Sequence, residues 1–357
     1  MVRNLKIAGV MTLVVALAAT AALAGGAKPA FTGLGAPFMV PSGMTADGSK
    51  IVGTGYFGAP AFYWTAAEGV VEIGGGCGAG TASISGDGST IVNCTIDDNG
   101  SQVAARWLGD TSWQSLGSVA GAVPCDISLS SSWGIDYSGR TAVGLVWLAQ
   151  QCRAHAGSWD LVVGGPATDL GSLVERNASR ANAISGDGHV IAGWQDGDTG
   201  SRQGARWIDG IEEYVLTPAG ENVGEVATVN FDGSVMAGSN IPYGTNNAWV
   251  WTAQKGFTVI TSTGPPAVWT IFAAAASDDG SVVGGIARDQ MGNAKGWIWF
   301  AKGGKFVWMS DYIAKNRLAP GWKIAIVGAI SADGSVLAGM GLNPSGQVEG
   351  WTIRNFK

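Results

Sequence analysis

Cys77, Cys94, Cys125 and Cys152 are the only thiols of the 357-residue chain, and His155 and His189 its only imidazoles. Zinc sites use close pairs of such ligands, and none is present. Two disulfides are the simpler expectation. Cys125 and Cys152 are symmetric about Ser138-Gly139, and Cys77 and Cys94 nearly so about Gly86-Asp87. Of the three pairings four cysteines allow, this spacing favours Cys77 with Cys94 and Cys125 with Cys152. His189 stands where other copies of a repeat have Ser or Thr, which predicts a solvated strand end, and His155 falls in a divergent loop. No HExxH, GxSxG elbow, Walker or dinucleotide motif is legible, so neither a metal nor another cofactor is implied. The Gly-rich run Gly74 to Gly80 precedes a strand rather than a helix, which favours a loop over a phosphate cradle.

The recurrent acidic residue is the Asp of an Asp-Gly pair. Calcium requires six to eight clustered oxygens, whereas each of these carboxylates suits the amides of its own turn. Asp136 differs, because it replaces the Ser of other copies in the one repeat without a turn Asp. It either caps the turn from two residues upstream or lines a central channel. Trp133, Trp269 and Trp322 enter three inner strands from the loop side. There they either stack on a ligand such as a sugar ring or cover neighbouring blade ends.

The elements that position these residues follow from a repeat. Seven turn glycines, Gly48, Gly88, Gly139, Gly188, Gly233, Gly280 and Gly334, are spaced 40 to 54 residues apart. Six follow Asp; the third follows Ser138. Asp-Gly between alternating apolar runs predicts a hairpin. Each unit continues through a polar loop to a strand ending in Trp, at Trp64, Trp107, Trp159, Trp207, Trp251, Trp299 and Trp351, and then a short β-rich run. Four strands per unit of this length predict a propeller blade, so the fold expectation is all-β, a seven-bladed β-propeller. The last unit lacks a fourth strand, and "FTGLGAP" near the N-terminus lacks a partner. The N-terminal strand is therefore expected to complete the last blade and close the ring. The Trp residues are expected between blades. "MSDYIAKNRLAPGW" is the one predicted helical turn, stopped before Pro320.

The unit "ISxDGSxVxG…W", ending in "GWKIAIVGAISADGSVLAGMGLNPSGQVEGW", resembles the bacterial extracellular HAF-repeat proteins over essentially the whole mature chain. The resemblance implies an exported, propeller-like repeat protein and carries over no catalytic residue. It is weakest in the third unit, at "GIDYSG".

Residues 1–24 read as a signal peptide, with Arg3 and Lys6 before an apolar run and Ala22-Leu23-Ala24 at its end. Residues 25–357 then form a single domain, secreted or periplasmic, without a transmembrane segment. The formal charge is −6, and removing Arg3 and Lys6 leaves 27 acidic against 19 basic residues. Such a surface disfavours nucleic acid as a partner. The first functional expectation is a noncatalytic binding module that meets a glycan or protein on the loop face. A carbohydrate-active hydrolase or lyase is the second, and it requires carboxylates among Asp97, Asp98, Asp126, Asp136, Asp196, Asp198 and Asp289 to converge at the axis. A structural envelope protein is the third, marked by a large exposed apolar patch.

Overall fold

The computed structural model describes residues 27–55, 60–149, 152–240, 245–262 and 270–356. The signal segment and Trp269 lie outside them. Among the described residues, seven four-stranded antiparallel sheets form a ring of blades. The innermost strands are Met39–Met44, Ser83–Ile84, Ser130–Ile135, Ser179–Ile184, Val226–Val229, Thr270–Ala276 and Lys323–Ile330, for blades 1 to 7. Blade 7 takes its outermost strand, Ala30–Pro37, from the N-terminus. This strand pairs antiparallel with Val348–Arg354, placing Gly33 opposite Trp351, so the ring closes as its strand count requires.

Each inner hairpin turns at its repeat glycine, with φ between 64° and 82°, a region that only glycine enters without cost. The Asp before it is consumed locally. Asp87 accepts the Ser89 N–H at 2.9 Å and the Ser85 hydroxyl at 2.7 Å, while Ser85 Oγ accepts the Thr90 N–H. The same arrangement recurs around Asp47, Asp187, Asp279 and Asp333.

The last glycine of the repeat motif answers to a different constraint. Six inner strands carry a bulge at the same place, at Ser42, Trp133, Asn182, Ala227, Ala274 and Gly328. The strand opposite presents Gly53, Gly144, Gly193, Gly238, Gly285 or Gly339, and a Cβ on any of them would run into an inner-strand carbonyl. In blade 2, Asn93 takes this place, and the inner strand shortens to two residues. The Cys77–Cys94 disulfide, with Cα atoms 5.6 Å apart, ties the incoming loop to the neighbouring strand there. Cys125–Cys152, at 4.9 Å, joins two loops of blade 3, so both expected pairings are present.

Between blades the tryptophans pack as expected, with two shifts. Trp159, Trp207 and Trp351 are fully buried, but in blades 5 and 6 the fully buried indoles are Trp249 and Trp297, two residues earlier on the same face. Trp107 and Trp251 are half-buried. The segment before blade 7 forms the helix Met309–Asn316, ended by Arg317 in the left-handed region. No helix among the described residues is long and apolar enough to cross a membrane.

Gly193→Ala should force the inner-strand Arg180 carbonyl aside and destabilise the fold by roughly 1–3 kcal/mol. Urea unfolding checks this, with Gly200→Ala in an open loop as the comparison, where only the backbone conformation is disfavoured.

Candidate functional site

Around the axis, the blades are joined by a closed ring of hydrogen bonds next to the turns. Ala46 N–H donates to Gly86 O, Asp87 to Tyr137 O, Tyr137 to Gly186 O, Asp187 to Phe231 O, Asp278 to Ala332 O and Ala332 to Ala46 O. The remaining junction is made by Asn230 Nδ2, which donates to Asp278 O at 2.8 Å. Two residues earlier along each inner strand lies an apolar ring of Met44, Ile84, Ile135, Ile184, Val229, Ala276 and Ile330, each four residues before its turn glycine. Six of these residues line both of two shallow cups on the axis, of about 220 Å³ toward the loop side and about 190 Å³ toward the turn side.

Trp133 lines the loop-side cup, together with the bulge residues Ser42, Asn182, Ala227, Ala274 and Gly328. The bulge gives six inner strands one residue outside the regular alternation, and in blade 3 that residue is an indole. The Arg180 guanidinium lies 3.8 Å from the ring centroid and covers one face of it. Arg180 is nearly buried, its side chain 13% exposed, and burial disfavours its charge while Glu225 restores it. Its Nη2 donates to Glu225 Oε1 at 2.7 Å and its Nε to Asn182 Oδ1 at 2.7 Å. Asn182 Nδ2 donates to the same Glu225 oxygen, and Arg202 reaches the other at 3.2 Å while stacking on Trp194. The network spans blades 4 and 5 and holds a blade 3 aromatic against the mouth of the axis.

The other sequence-derived candidates are placed elsewhere and do not converge on Trp133. Asp136 is buried, and its Oδ1 accepts the Arg140 and Thr141 N–H groups while Ser138 Oγ donates to Oδ2. Blade 3 has thus exchanged the hydroxyl and carboxyl of the usual turn, and Asp136 lines neither cup. Trp322 is half-buried at the start of the blade 7 inner strand, edge-on to Phe31 with centroids 5.0 Å apart. It lines a separate groove with Ile313, Ala314 and Arg317 beside the helix. Trp269 lies outside the described residues. Asp97 and Asp289 are tied into loop turns, accepting two backbone N–H groups each.

His189 is exposed and bonded to Asp209, which raises its pKa, but His155 differs from expectation. It lies in the strand Ala154–Asp160 rather than a loop, is buried, and bonds Asp169 through Nδ1 at 2.8 Å. Glu212 on the outer strand of blade 4 has a buried, unpartnered Oε1. Its pKa is raised to about 7 by burial and by the Asp169 charge. No group of three or more potential metal ligands occurs among the described residues. Sequence reading missed Arg180, Asn182 and Glu225. The signal for them was present in "SRANAIS" at Ser179 to Ser185, where large polar residues stand in an inner strand that other repeats build from small ones.

No family model and no curated protein matches the chain. Solved structures align with it at low identity. TolB from Acinetobacter baumannii aligns with 75% of this chain at 13% identity and a TM-score of 0.46, and this chain covers 62% of that one. An oligogalacturonate lyase from Vibrio parahaemolyticus aligns at 12% identity over 91% of this chain and 93% of that one, with a TM-score of 0.58. An oligogalacturonate lyase in complex with manganese gives 15% identity over the same shares and a TM-score of 0.56. At such identities the likeness to the two lyases is one of fold.

The Glu212 geometry has a signed pH dependence. A carboxyl whose folded pKa is raised contributes fully below its unfolded pKa of 4.5, and loses that contribution as pH rises toward 7. Glu212→Gln should therefore leave stability near pH 4 unchanged and raise it at pH 8, by on the order of 1–2 kcal/mol after allowing for partial solvent screening. Thermal unfolding at the two pH values reads the difference.

Proposed function

We propose that this chain is an exported, noncatalytic binding module of the HAF-repeat kind, which holds a glycan at the loop-side mouth of its axis. The signal-like N-terminus and two disulfides support export, since such bonds persist in oxidising compartments. The observation that carries the binding reading is Trp133. A bulge places its indole in the cup wall, and the Arg180, Glu225 and Asn182 network fixes it there before any ligand arrives. A preorganised aromatic surface beside small polar residues suits the apolar face of a sugar ring.

Hydrolysis of a glycosidic bond by two carboxyls requires them roughly 5 to 9.5 Å apart. Of the seven aspartates considered for that role, none lines either axial cup. Large exposed apolar side chains do not favour an envelope role either: Val163 and Met291, both 83% exposed, belong to different blades and opposite faces.

A glycan array probed with the mature chain tests the proposal. Binding to at least one glycan class is expected, and Trp133→Ala should weaken it at least tenfold with little change in melting temperature. A silent array, or full binding by the variant, would overturn the assignment and leave a protein partner or catalysis to be sought.

A further inference from the structure

The turn-side cup has a different chemistry. Its rim position, two residues before each turn glycine, is occupied by Ala46, Gly86, Tyr137, Gly186, Phe231, Asp278 and Ala332. Five blades place a residue there that is either small or acidic, and two place an aromatic ring. Tyr137 lies across Gly86 of blade 2 and Phe231 across Gly186 of blade 4, where a Cβ would collide with the ring. The two rings meet at 78° with centroids 5.4 Å apart, yet remain 41% and 45% exposed. The apolar ring supplies the floor, with Met44, Ile84, Ile135, Val229 and Ile330.

Asp278 is the one acidic residue that lines this cup. Burial, with the charges of Asp232 and Asp279, raises its pKa, and the nearby Phe231 N–H opposes that rise. Around it stand the six turn aspartates, of which Asp47, Asp87 and Asp232 are held below the usual carboxylate range by hydrogen bonds from their turns, against the opposing effect of burial, which is largest at Asp87. Four basic groups of this face act away from the cup. Lys50 lies over Tyr63, His189 bonds Asp209, Arg354 donates to Gly48 O, and the exposed Arg140 after Gly139 acts on Asp160. None of them lines it.

We propose that this cup is a binding site for a small organic ammonium ion, seated against the faces of Tyr137 and Phe231 with Asp278 as its counter-ion. Aromatic walls attract a cation through their quadrupoles, and the attraction grows when the cation leaves water. A concave site ringed by like charge focuses the field that draws the ion in. The volume of about 190 Å³ suits a head group rather than an oligomer. A quaternary ammonium of the choline type and a primary ammonium of the lysine type share this chemistry.

Calorimetric titration of the full mature chain at low salt separates them. The probes are choline, Nα-acetyl-lysine amide, and 3,3-dimethylbutan-1-ol, the neutral counterpart of choline. At least one ammonium should bind with millimolar or tighter affinity, and the neutral alcohol at least tenfold more weakly. Asp278→Asn, which removes the charge and keeps the size, should weaken binding at least tenfold. Tyr137→Leu, which keeps the backbone bonds of the ring, should do the same. Equal binding of the neutral alcohol, unchanged affinity in both variants, or no binding of either ammonium up to tens of millimolar would overturn the site. Because Trp133 lies in the opposite cup, loss of one activity leaves the other in place.

Discussion

The structure depends on a single closure. The last of seven blades meets the first, and Ala30–Pro37 supplies the fourth strand that Val348–Arg354 would otherwise leave exposed. The consequence at the centre is the ring of seven junctions, in which Ala332 N–H returns to Ala46 O and completes the circuit. Each bond is individually modest, about 0.5–1.5 kcal/mol net. Together they fix the distance of every inner strand from the axis, and so the width of both cups.

That geometry also explains the apolar belt that the two cups share. Inner strands that approach an axis need small or aliphatic side chains, and the position four residues before each turn glycine is aliphatic or methionine throughout. The two mouths differ because different strand positions reach them. The loop-side mouth receives the bulge residues and the turn-side mouth receives the rim residues. In both, blade 3 supplies an aromatic residue where most others are small: Trp133 above, Tyr137 below. The repeat least faithful to the sequence pattern is thus the one that shapes both cups.

Much of this was legible in the residues themselves. The Asp-Gly period gave the blade count, and the unmatched ends gave the closure, because both are governed by local turn chemistry and by strand arithmetic. The disulfides followed from symmetry about hairpins. The site was less legible, since a side chain in a bulge leaves the two-residue alternation, and nothing in the local sequence around Trp133 marks that departure. Trp322 shows the limit from the other direction. Its spacing to the turn suggests a ligand face, whereas the helix Met309–Asn316 and Phe31 enclose it in a groove of their own. The Trp shift in blades 5 and 6 has a similar origin: Trp249 and Trp297 share a strand face with Trp251 and Trp299, and only packing decides which indole goes to the centre. Asp136, which looked exceptional, exchanged roles with Ser138 inside a conventional turn.

The closure can be read directly by hydrogen exchange on the mature chain under native conditions. Backbone amides within Ala30–Pro37 that bond to the last strand should be protected to within about tenfold of those in Val348–Arg354. Exchange of the N-terminal segment at the rate of an unstructured peptide, with the last strand still protected, would contradict the ring.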